Sequence, residues 1–397
     1  MSDWRTYQVS DLAEIFDGPH ATPKKTASGP WFLSITSLKD GRLDLSESAH
    51  LSEDDFTKWT RRVTPQPGDI LFSYETRIGE VALMPKGVRG CLGRRMALMR
   101  AFPGVVDTRF LLYSYLGDEF QQTIRHRTIH GATVDRIPLT EMPTWPIRVP
   151  DLTTQRAIAD LLGVLDDKIV VNERIAATAR SVGAAHFASA AGRASSTVRV
   201  ASVVKLLARG ITPRYTNEQN GTVILNQKCI RGGKVSLMPS RLTVASALSA
   251  AKILRVNDVL VNSTGVGTLG RVALWVKEFE ATVDSHISIV RFDPTLIDPV
   301  LAGFAMLAAR QDIEALGDGS TGQTELSRRR LGELEIRVPD VEKLPALTEV
   351  IRRLEEKGDR ALMENEALVK LRDALLPKLI SGALRVKDAE RHVEDTV

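Results

Sequence analysis

The chain has 397 residues, with 53 Lys and Arg against 49 Asp and Glu, two Cys, 43% apolar residues and 5% aromatics. That length calls for more than one core, and the composition excludes a disordered, collagen-like or disulfide-stapled chain. A formal net charge of +4 neither requires nor excludes a nucleic-acid partner. Cys91 and Cys229 lie far apart and belong to no C-x-x-C pair, which argues against structural zinc and fits a reducing cytosol. The start, Met1-Ser2-Asp3-Trp4-Arg5, lacks a signal-peptide pattern, and no apolar run approaches the ~18 residues of a membrane span. The expectation is a cytoplasmic protein.

In chain order, short strands are predicted at Leu33–Ile35, Ile70–Ser73, Val81–Met84 and Ala97–Arg100, with turn residues between them. A helix follows near Arg109–Arg125, from Phe110, Leu111, Tyr115, Leu116 and Phe120. After Ile147-Arg148-Val149-Pro150-Asp151 the texture becomes helical. Ile158, Leu165, Asn172 and Ala179 stand seven apart, with Leu161 and Ile175 between. Strands return at Val223–Leu225, Val259–Asn262, Val272–Val276 and Ile287–Arg291, with a helix at Pro299–Leu316. Ile336-Arg337-Val338-Pro339-Asp340 then opens a second long pattern. There Leu347, Leu354, Ala361, Leu368 and Leu375 stand seven apart, with Val350 and Leu371 between. Such spacing argues for helices that pack along another helix. Pro150 and Pro339 punctuate the starts, and Gly382 marks the end of the second.

The chain therefore reads as a duplication. I-R-V-P-D recurs at an offset of 189, as does Asp69-Ile70-Leu71 at Asp258-Val259-Leu260. Gly131-Ala132-Thr133 matches Gly322-Gln323-Thr324, and Gly79-x-Val81-Ala82-Leu83 matches Gly270-x-Val272-Ala273-Leu274, both at 191. Leu38–Leu43 resembles Ile230–Val235 at 192, and Gly18-x-x-x-Thr22-Pro23 resembles Gly210-Ile211-Thr212-Pro213. Collinear blocks with slowly drifting offsets indicate a repeated unit. The expected fold is α+β: two mixed domains separated by two long antiparallel helices, with a pseudo-two-fold repeat. The expected boundaries are 1–151, a helical spacer at 152–192, a second domain at 193–340, a second spacer at 341–385 and a polar tail at 386–397. Each helix, at ~35 residues, would be about 50 Å long. Asn172 in a core position would favour one register.

No catalytic constellation emerges. Gly265-Val266-Gly267-Thr268-Leu269-Gly270 is a literal G-x-G-x-x-G, but a strand pattern follows where a dinucleotide site needs a helix. A hairpin is expected instead. His126 and His130 have i, i+4 spacing without the glutamate or cluster of a metal site. No P-loop, G-x-S-x-G, Asn/Asp-Pro-Pro-aromatic or nuclease pattern occurs. Basic residues do cluster. Residues 1–151 hold 19 Lys and Arg against 19 Asp and Glu, and residues 191–340 hold 19 against 14, so the second domain is the basic one. Candidate DNA contacts in the first copy are Lys24, Lys25, Ser73, Tyr74, Thr76, Arg77, Arg94, Arg95, Arg127 and Thr133. In the second they are Arg214, Gln227, Lys228, Asn262, Ser263, Thr264, His286, Gln323, Thr324, Arg328, Arg329 and Arg330. Arg can take guanine, Asn or Gln adenine, Ser or Thr either, while Lys mostly holds phosphates. The scaffold blocks repeat, whereas stretches such as Ser46–Arg62 and Ser236–Lys252 do not match. One framework with different loops would read two different sequences.

This arrangement resembles the specificity subunit of type I restriction–modification systems. The resemblance rests on Pro67-Gly68-Asp69-Ile70-Leu71, Gly131-Ala132-Thr133 leading to Ile147–Asp151, and Gln155-Arg156-Ala157-Ile158-Ala159. In the second copy it rests on Asn257-Asp258-Val259-Leu260, Gly322-Gln323-Thr324 leading to Ile336–Asp340, and Leu375-Leu376-Pro377-Lys378-Leu379-Ile380-Ser381-Gly382. Two departures are Val341–Pro345, where the first copy has Leu152–Arg156, and the Ala-rich Ala184–Ala191. The resemblance implies a non-catalytic subunit that reads a split, asymmetric site in double-stranded DNA. It implies paired helices that set the gap and dock two methyltransferase subunits, with restriction/translocase subunits completing the nuclease. S-adenosylmethionine, ATP and Mg are then expected on those partner subunits and no cofactor or metal on this chain. A self-contained DNA methyltransferase or nuclease, or a coiled-coil adaptor that binds only proteins, are the alternative readings.

Overall fold

The computed structural model describes residues 4–19, 23–39, 41–46, 48–131, 134–193, 195–218, 220–244, 249–265, 267–317, 325–340 and 345–394. The chain divides into two compact units, Met1–Val170 with Asn365–Val397, and Val171–Glu364. It passes from one to the other inside each of its two long helices.

The first copy runs β1 (Arg5–Gln8), α1 (Val9–Leu12), β2 (Ala13–Asp17), β3 (Thr26–Leu33), β4 (Leu38–Lys39), β5 (Arg42–Leu43), β6 (Ala49–His50), α2 (Glu53–Trp59), β7 (Ile70–Ser73), β8 (Val81–Leu83), β9 (Gly90–Leu92), β10 (Met96–Ala101), α3 (Thr108–Leu116), α4 (Asp118–Arg127), β11 (Pro146–Val149) and the long α5 (Leu152–Arg193). The second runs β12 (Ser195–Arg199), β13 (Val204–Arg209), β14 (Tyr215–Thr216), β15 (Thr222–Leu225), β16 (Ile230–Arg231), β17 (Lys234–Val235), β18 (Arg241–Thr243), β19 (Val259–Asn262), β20 (Val272–Leu274), β21 (Ala281–Val283), β22 (Ile287–Phe292), α6 (Pro299–Ala308), α7 (Arg310–Ala315), α8 (Arg328–Glu333), β23 (Glu335–Pro339), the long α9 (Pro345–Ile380) and α10 (Val386–Glu394).

The sequence repeat is a structural repeat. Each unit has a four-stranded antiparallel sheet, β2-β10-β7-β8 in the first and β13-β22-β19-β20 in the second. The I-R-V-P-D strands β11 and β23 pair with β1 and β12. A smaller sheet joins β3 to β9 in parallel, and β15 to β21 likewise. The second copy extends its small sheet with β14, which pairs with β18.

Local chemistry accounts for the departures from the predicted elements. Ile35 leaves its predicted strand because Ile35–Ser37 form a 3-10 turn, with the Ser34 N–H donating to Ser37 Oγ at 3.0 Å. The helix predicted at 109–125 is two, broken at Gly117, whose extended backbone faces Ile380; a Cβ there would lie 2.9 Å from the Ile380 side chain. The one predicted at 299–316 likewise breaks, at Ala309. Residues 386–394 form a helix where a polar tail was expected. Its Val386, Ala389 and Val393 follow helical spacing and pack on the first core.

The repeat extends to its buried charges. Arg100 grips Asp69 bidentately, Nε to Oδ1 at 2.9 Å and Nη2 to Oδ2 at 2.7 Å. Arg291 grips Asp258 the same way, at 2.8 and 2.7 Å, and also donates to the Ile253 carbonyl. Each aspartate additionally caps the turn before its strand, accepting from the N–H of Gln66 or Arg255. This explains the repeated Asp-Ile/Val-Leu block: the aspartate ties β7 or β19 to the neighbouring β10 or β22.

The start of α5 is fixed by Asp151, which accepts from the Thr154 N–H at 3.0 Å. Gln155 is buried beneath it and joins the Pro150 carbonyl to the Asp107 N–H. In each unit a segment of α5 runs antiparallel to a segment of α9. In the first, Asn365 Nδ2 donates to the Ile169 carbonyl at 3.0 Å and Arg372 Nη1 to Asp166 at 2.9 Å. In the second, Asn172 Nδ2 donates to Glu364 at 2.8 Å and Arg180 Nε to Glu355 at 2.6 Å.

Of the predicted pair core, Ile158, Leu165, Asn172, Ala179, Ala361, Leu368 and Leu375 are buried. Leu347 and Leu354 are half-buried. The second row is corrected. Val350 is 40% exposed and Leu161, Ile175 and Leu371 are only half-buried. The buried row instead holds Leu162, Ile169 and Ala176 on α5, and Ile351, Gly358, Asn365 and Leu379 on α9. It lies four residues, not three, after the first. Its small and polar members hid it from a reading that sought apolar residues.

Two expectations follow. Arg291→Met leaves a buried carboxylate unpaired and should lower unfolding free energy by about 3 kcal/mol, read from urea melts; a loss below ~1 kcal/mol contradicts the assignment. The second concerns Lys234, which lies beside Arg180, Lys277, Glu355 and Asp359 in a small crevice. Burial, and then the Arg180 charge, push its ammonium from the usual 10.5 down to about 8. The folded state thus releases this proton before the unfolded chain does, and stability rises with pH between those values. The advantage of Lys234→Met over wild type should shrink between about pH 8 and 10; a pH-independent gap contradicts this.

Candidate nucleic-acid interface

The candidate loops sit at one end of each four-stranded sheet, where β7 turns into β8 and β19 into β20. A common backbone frame holds them. Tyr74 N–H donates to the Arg95 carbonyl and Ile137 N–H to the Tyr74 carbonyl. Ser263 N–H donates to the His286 carbonyl and Leu326 N–H to the Ser263 carbonyl. Beyond these, Glu75 bridges to Arg136 and Thr264 to Glu325. The next residue has left-handed backbone in both copies, Thr76 at φ 68° and Gly265 at φ 99°.

On that frame the exposed side chains differ. In the first unit Arg95, itself at φ 78°, donates from Nη1 to Thr76 Oγ1 at 3.0 Å, and its Nε lies 3.3 Å from Glu75. Arg77 reaches Glu80 at 2.8 Å and the Ile35 carbonyl at 3.2 Å. Arg94 is exposed beside them. In the second unit Thr264 Oγ1 lies 2.8 Å from His286 Nδ1 and accepts from Gln227 Nε2 at 2.6 Å. Arg209 joins Glu325 at 2.8 Å and the Ser285 carbonyl at 3.1 Å. A guanidinium with a threonine and a carboxylate thus faces out of one unit. An imidazole, a threonine and an amide face out of the other. These groups differ in what they donate and accept, which is how a protein distinguishes base edges.

Four candidates belong to the frame, not the exposed edge. Ser73, Tyr74, Asn262 and Ser263 are buried. Ser73 donates to the Glu75 carbonyl, Asn262 to the Gln227 carbonyl, and Ser263 pairs with Ser288. Burial, with Asp17 alongside, keeps the Tyr74 phenol protonated far above its usual range. All four end buried strands, where polar type alone suggested a reading role.

The remaining candidates lie elsewhere on their units. Lys24 and Lys25 are exposed before β3, Arg127 at the end of α4, Arg214 before β14 and Lys228 after β15. Arg328 and Arg329 are exposed on α8, while Arg330 donates to the Leu316 carbonyl. Thr133, Gln323 and Thr324 fall outside the described residues. Sequence reasoning missed Glu75, Glu325 and Arg209. The carboxylates orient arginines, Glu75 beside Arg95 and Glu325 beside Arg209. It also missed Arg241, whose guanidinium stacks 3.5 Å from the centre of the exposed Tyr215 ring; the adjacent Arg214-Tyr215 pair was the available signal.

The G-x-G-x-x-G segment joins two antiparallel strands, as a hairpin. Gly270 is needed there because a Cβ would come 2.7 Å from Glu314 Cα. Among the described residues no group of three or more His, Cys, Asp and Glu gathers for a metal. None of the described helices is long and apolar enough to cross a membrane.

Residues 1–179 match the family model described as type I restriction modification DNA specificity domain. The crystal structure of the type I restriction–modification S subunit from M. genitalium aligns over 95% of this chain and 96% of its own, at a TM-score of 0.60 and 15% identity. The second copy repeats the sheets of the matched one, with β14 added. The match thus covers the first copy, just under half of the chain, and the structural likeness extends the same fold over the rest. The HsdS subunit from Thermoanaerobacter tengcongensis aligns over 96% of this chain and 97% of its own, at a TM-score of 0.34 and 15% identity. A chain from a study of complex assembly and conformational transition in the type I system covers 96% and 98%, at 0.38 and 14%. No curated protein matches this chain by sequence.

The strain at Thr76 is testable without DNA. A β-branched residue in left-handed backbone costs about 1–2 kcal/mol. Thr76→Gly should therefore stabilise the protein by about 1 kcal/mol in thermal or urea unfolding. Destabilisation would mean that the Arg95–Thr76 hydrogen bond outweighs the strain.

Proposed function

We propose that this chain is a specificity subunit of a type I restriction–modification system and reads a bipartite, asymmetric site in double-stranded DNA, one half with each unit. The observation that carries this is the shared backbone frame with different exposed side chains. Thr76, Arg77 and Arg95 test base edges in one half, and Gln227, Thr264 and His286 in the other. Lys24, Lys25, Arg94, Arg127, Arg214, Lys228, Arg328 and Arg329 seat the units on phosphates, giving affinity and salt dependence without sequence information. The α5–α9 pair, 42 and 36 residues in its two helices, sets the gap between half-sites. Its outward faces dock two methyltransferase subunits, and restriction/translocase subunits complete the assembly. The chain itself is non-catalytic and works in the cytoplasm. S-adenosylmethionine, ATP and Mg act on those partner subunits. The absence of a catalytic motif from the sequence and the family of the first 179 residues support this reading.

Methylation sequencing of the source cell, with and without this chain, is the test. Removal should abolish one bipartite adenine-methylation motif. Deleting one heptad from each of α5 and α9, in register, should change the gap and leave both half-sites intact. Loss of a continuous, single-part motif would overturn the bipartite reading, and a shifted half-site with an unchanged gap would overturn the ruler.

A further inference from the structure

Each unit buries a charged cluster where its globular part meets the helix pair, and the two clusters are the same device built twice. In the first unit Asp166, on α5, accepts from the Tyr113 hydroxyl at 2.7 Å and from Arg372 Nη1, on α9, at 2.9 Å. Arg42, at the start of β5, lies 4.0 Å away. In the second unit Glu355, on α9, accepts from Arg180, on α5, through Nε at 2.6 Å and through Nη2. Arg180 Nη1 also donates to the Gly233 carbonyl at 2.7 Å, next to Lys234 at the start of β17.

The correspondence is residue by residue. Asp166 and Glu355 stand 189 positions apart, Arg180 and Arg372 192, Arg42 and Lys234 192, and Tyr113 and Phe304 191. These are the offsets of the sequence repeat. The roles are exchanged between helices: α5 supplies the acid in the first unit and the arginine in the second. Phe304, in place of Tyr113, lies under the Arg180 guanidinium at 5.7 Å.

These charges are costly to bury. The Arg180 and Glu355 side chains are 14% and 8% exposed, and those of Arg372 and Asp166 16% and 22%. An apolar pair of equal volume would hold such a place at least as well. What a guanidinium fork adds is direction, because its bonds form in only one arrangement of the groups it joins.

We propose that Arg180 and Arg372 are positioning residues for DNA recognition: each, riding on one helix and paired with the acid on the other, fixes the orientation of the reading part of its own unit. Arg372 acts through Asp166 on Tyr113 of α3, and Arg180 acts directly on the β16–β17 turn. The inference rests on the bipartite reading above.

The test uses the full assembly in its cell and reads the methylated motif. Arg372→Met should relax base discrimination roughly tenfold, the scale of one mismatched pair, in one half-site. Arg180→Met should do the same in the other half-site only. Arg372→Lys and Arg180→Lys keep the charge but not the fork, and should relax the same half-sites less. Melting temperatures of the purified variants accompany each motif. If the wild-type chain yields no bipartite motif, the bipartite reading fails before any variant is considered. If it does, the positioning role is overturned by three results. One is an unchanged motif in folded variants. Another is equal relaxation of both half-sites. The third is uniform fading of methylation that tracks a lower melting temperature. Should the Met variants not accumulate, the Lys variants decide by the same criteria.

Discussion

Neither unit closes its core without both long helices, and the rest of the structure depends on that constraint. The first core takes Leu368, Leu375 and Leu379 from α9, more than two hundred positions beyond the last strand of the first copy. The second takes Phe187 from α5 and Ile351 from α9. Each long helix therefore belongs to both units, and its apolar rows serve two cores. A helix this long has no small domain of its own on which to bury a stripe. Pairing with the other helix solves that, and the duplication supplies the second helix. Folding of the first unit must wait for Asn365–Val397 from the far end of the chain, so non-local contacts are built into it.

The same economy governs recognition. The backbone that presents the loops is constant: a strand end, a hydrogen-bonded crossing to the neighbouring strand, then a left-handed residue. What varies is which side chain stands on it. Arg95 and His286 occupy equivalent places, since each lends its carbonyl to the frame and its side chain to the exposed edge. Glycine in the second copy adopts the left-handed turn at no steric cost. Threonine in the first pays in strain and gains a hydroxyl beside Arg95. Strain retained where a smaller residue would do is a mark of function over stability.

The sequence made much of this legible, for reasons that can be named. The repeat was visible because its blocks are turn and strand residues that the frame constrains, such as Asp69 and Asp258, each locked by an arginine. The hairpin at Gly265–Gly270 was legible because a strand pattern follows it. The second row of the helix pair was not, since Gly358, Asn365 and Ala176 carry no apolar signal. Nor was the burial of Ser73, Tyr74, Asn262 and Ser263, because polar type does not say which face of a strand end a side chain takes. Glu75, Glu325 and Arg209 were missed for a related reason. Their value lies in orienting a neighbour, and such roles have no composition of their own.

The duplication also explains why buried charge is tolerated at the helix pair. An apolar seam is forgiving: leucine rows can slide or rotate by a fraction of a turn at little cost. A protein that only had to stay folded could accept that freedom. On the proposed reading the chain must hold two polar edges against a DNA helix, where hydrogen bonds to base edges are lost within about an ångström. Arg180 with Glu355, Arg372 with Asp166, and Asn172 with Glu364 place directional bonds along an otherwise slippery seam. The roles alternate between the two helices, so each half of the chain constrains the unit that the other half begins.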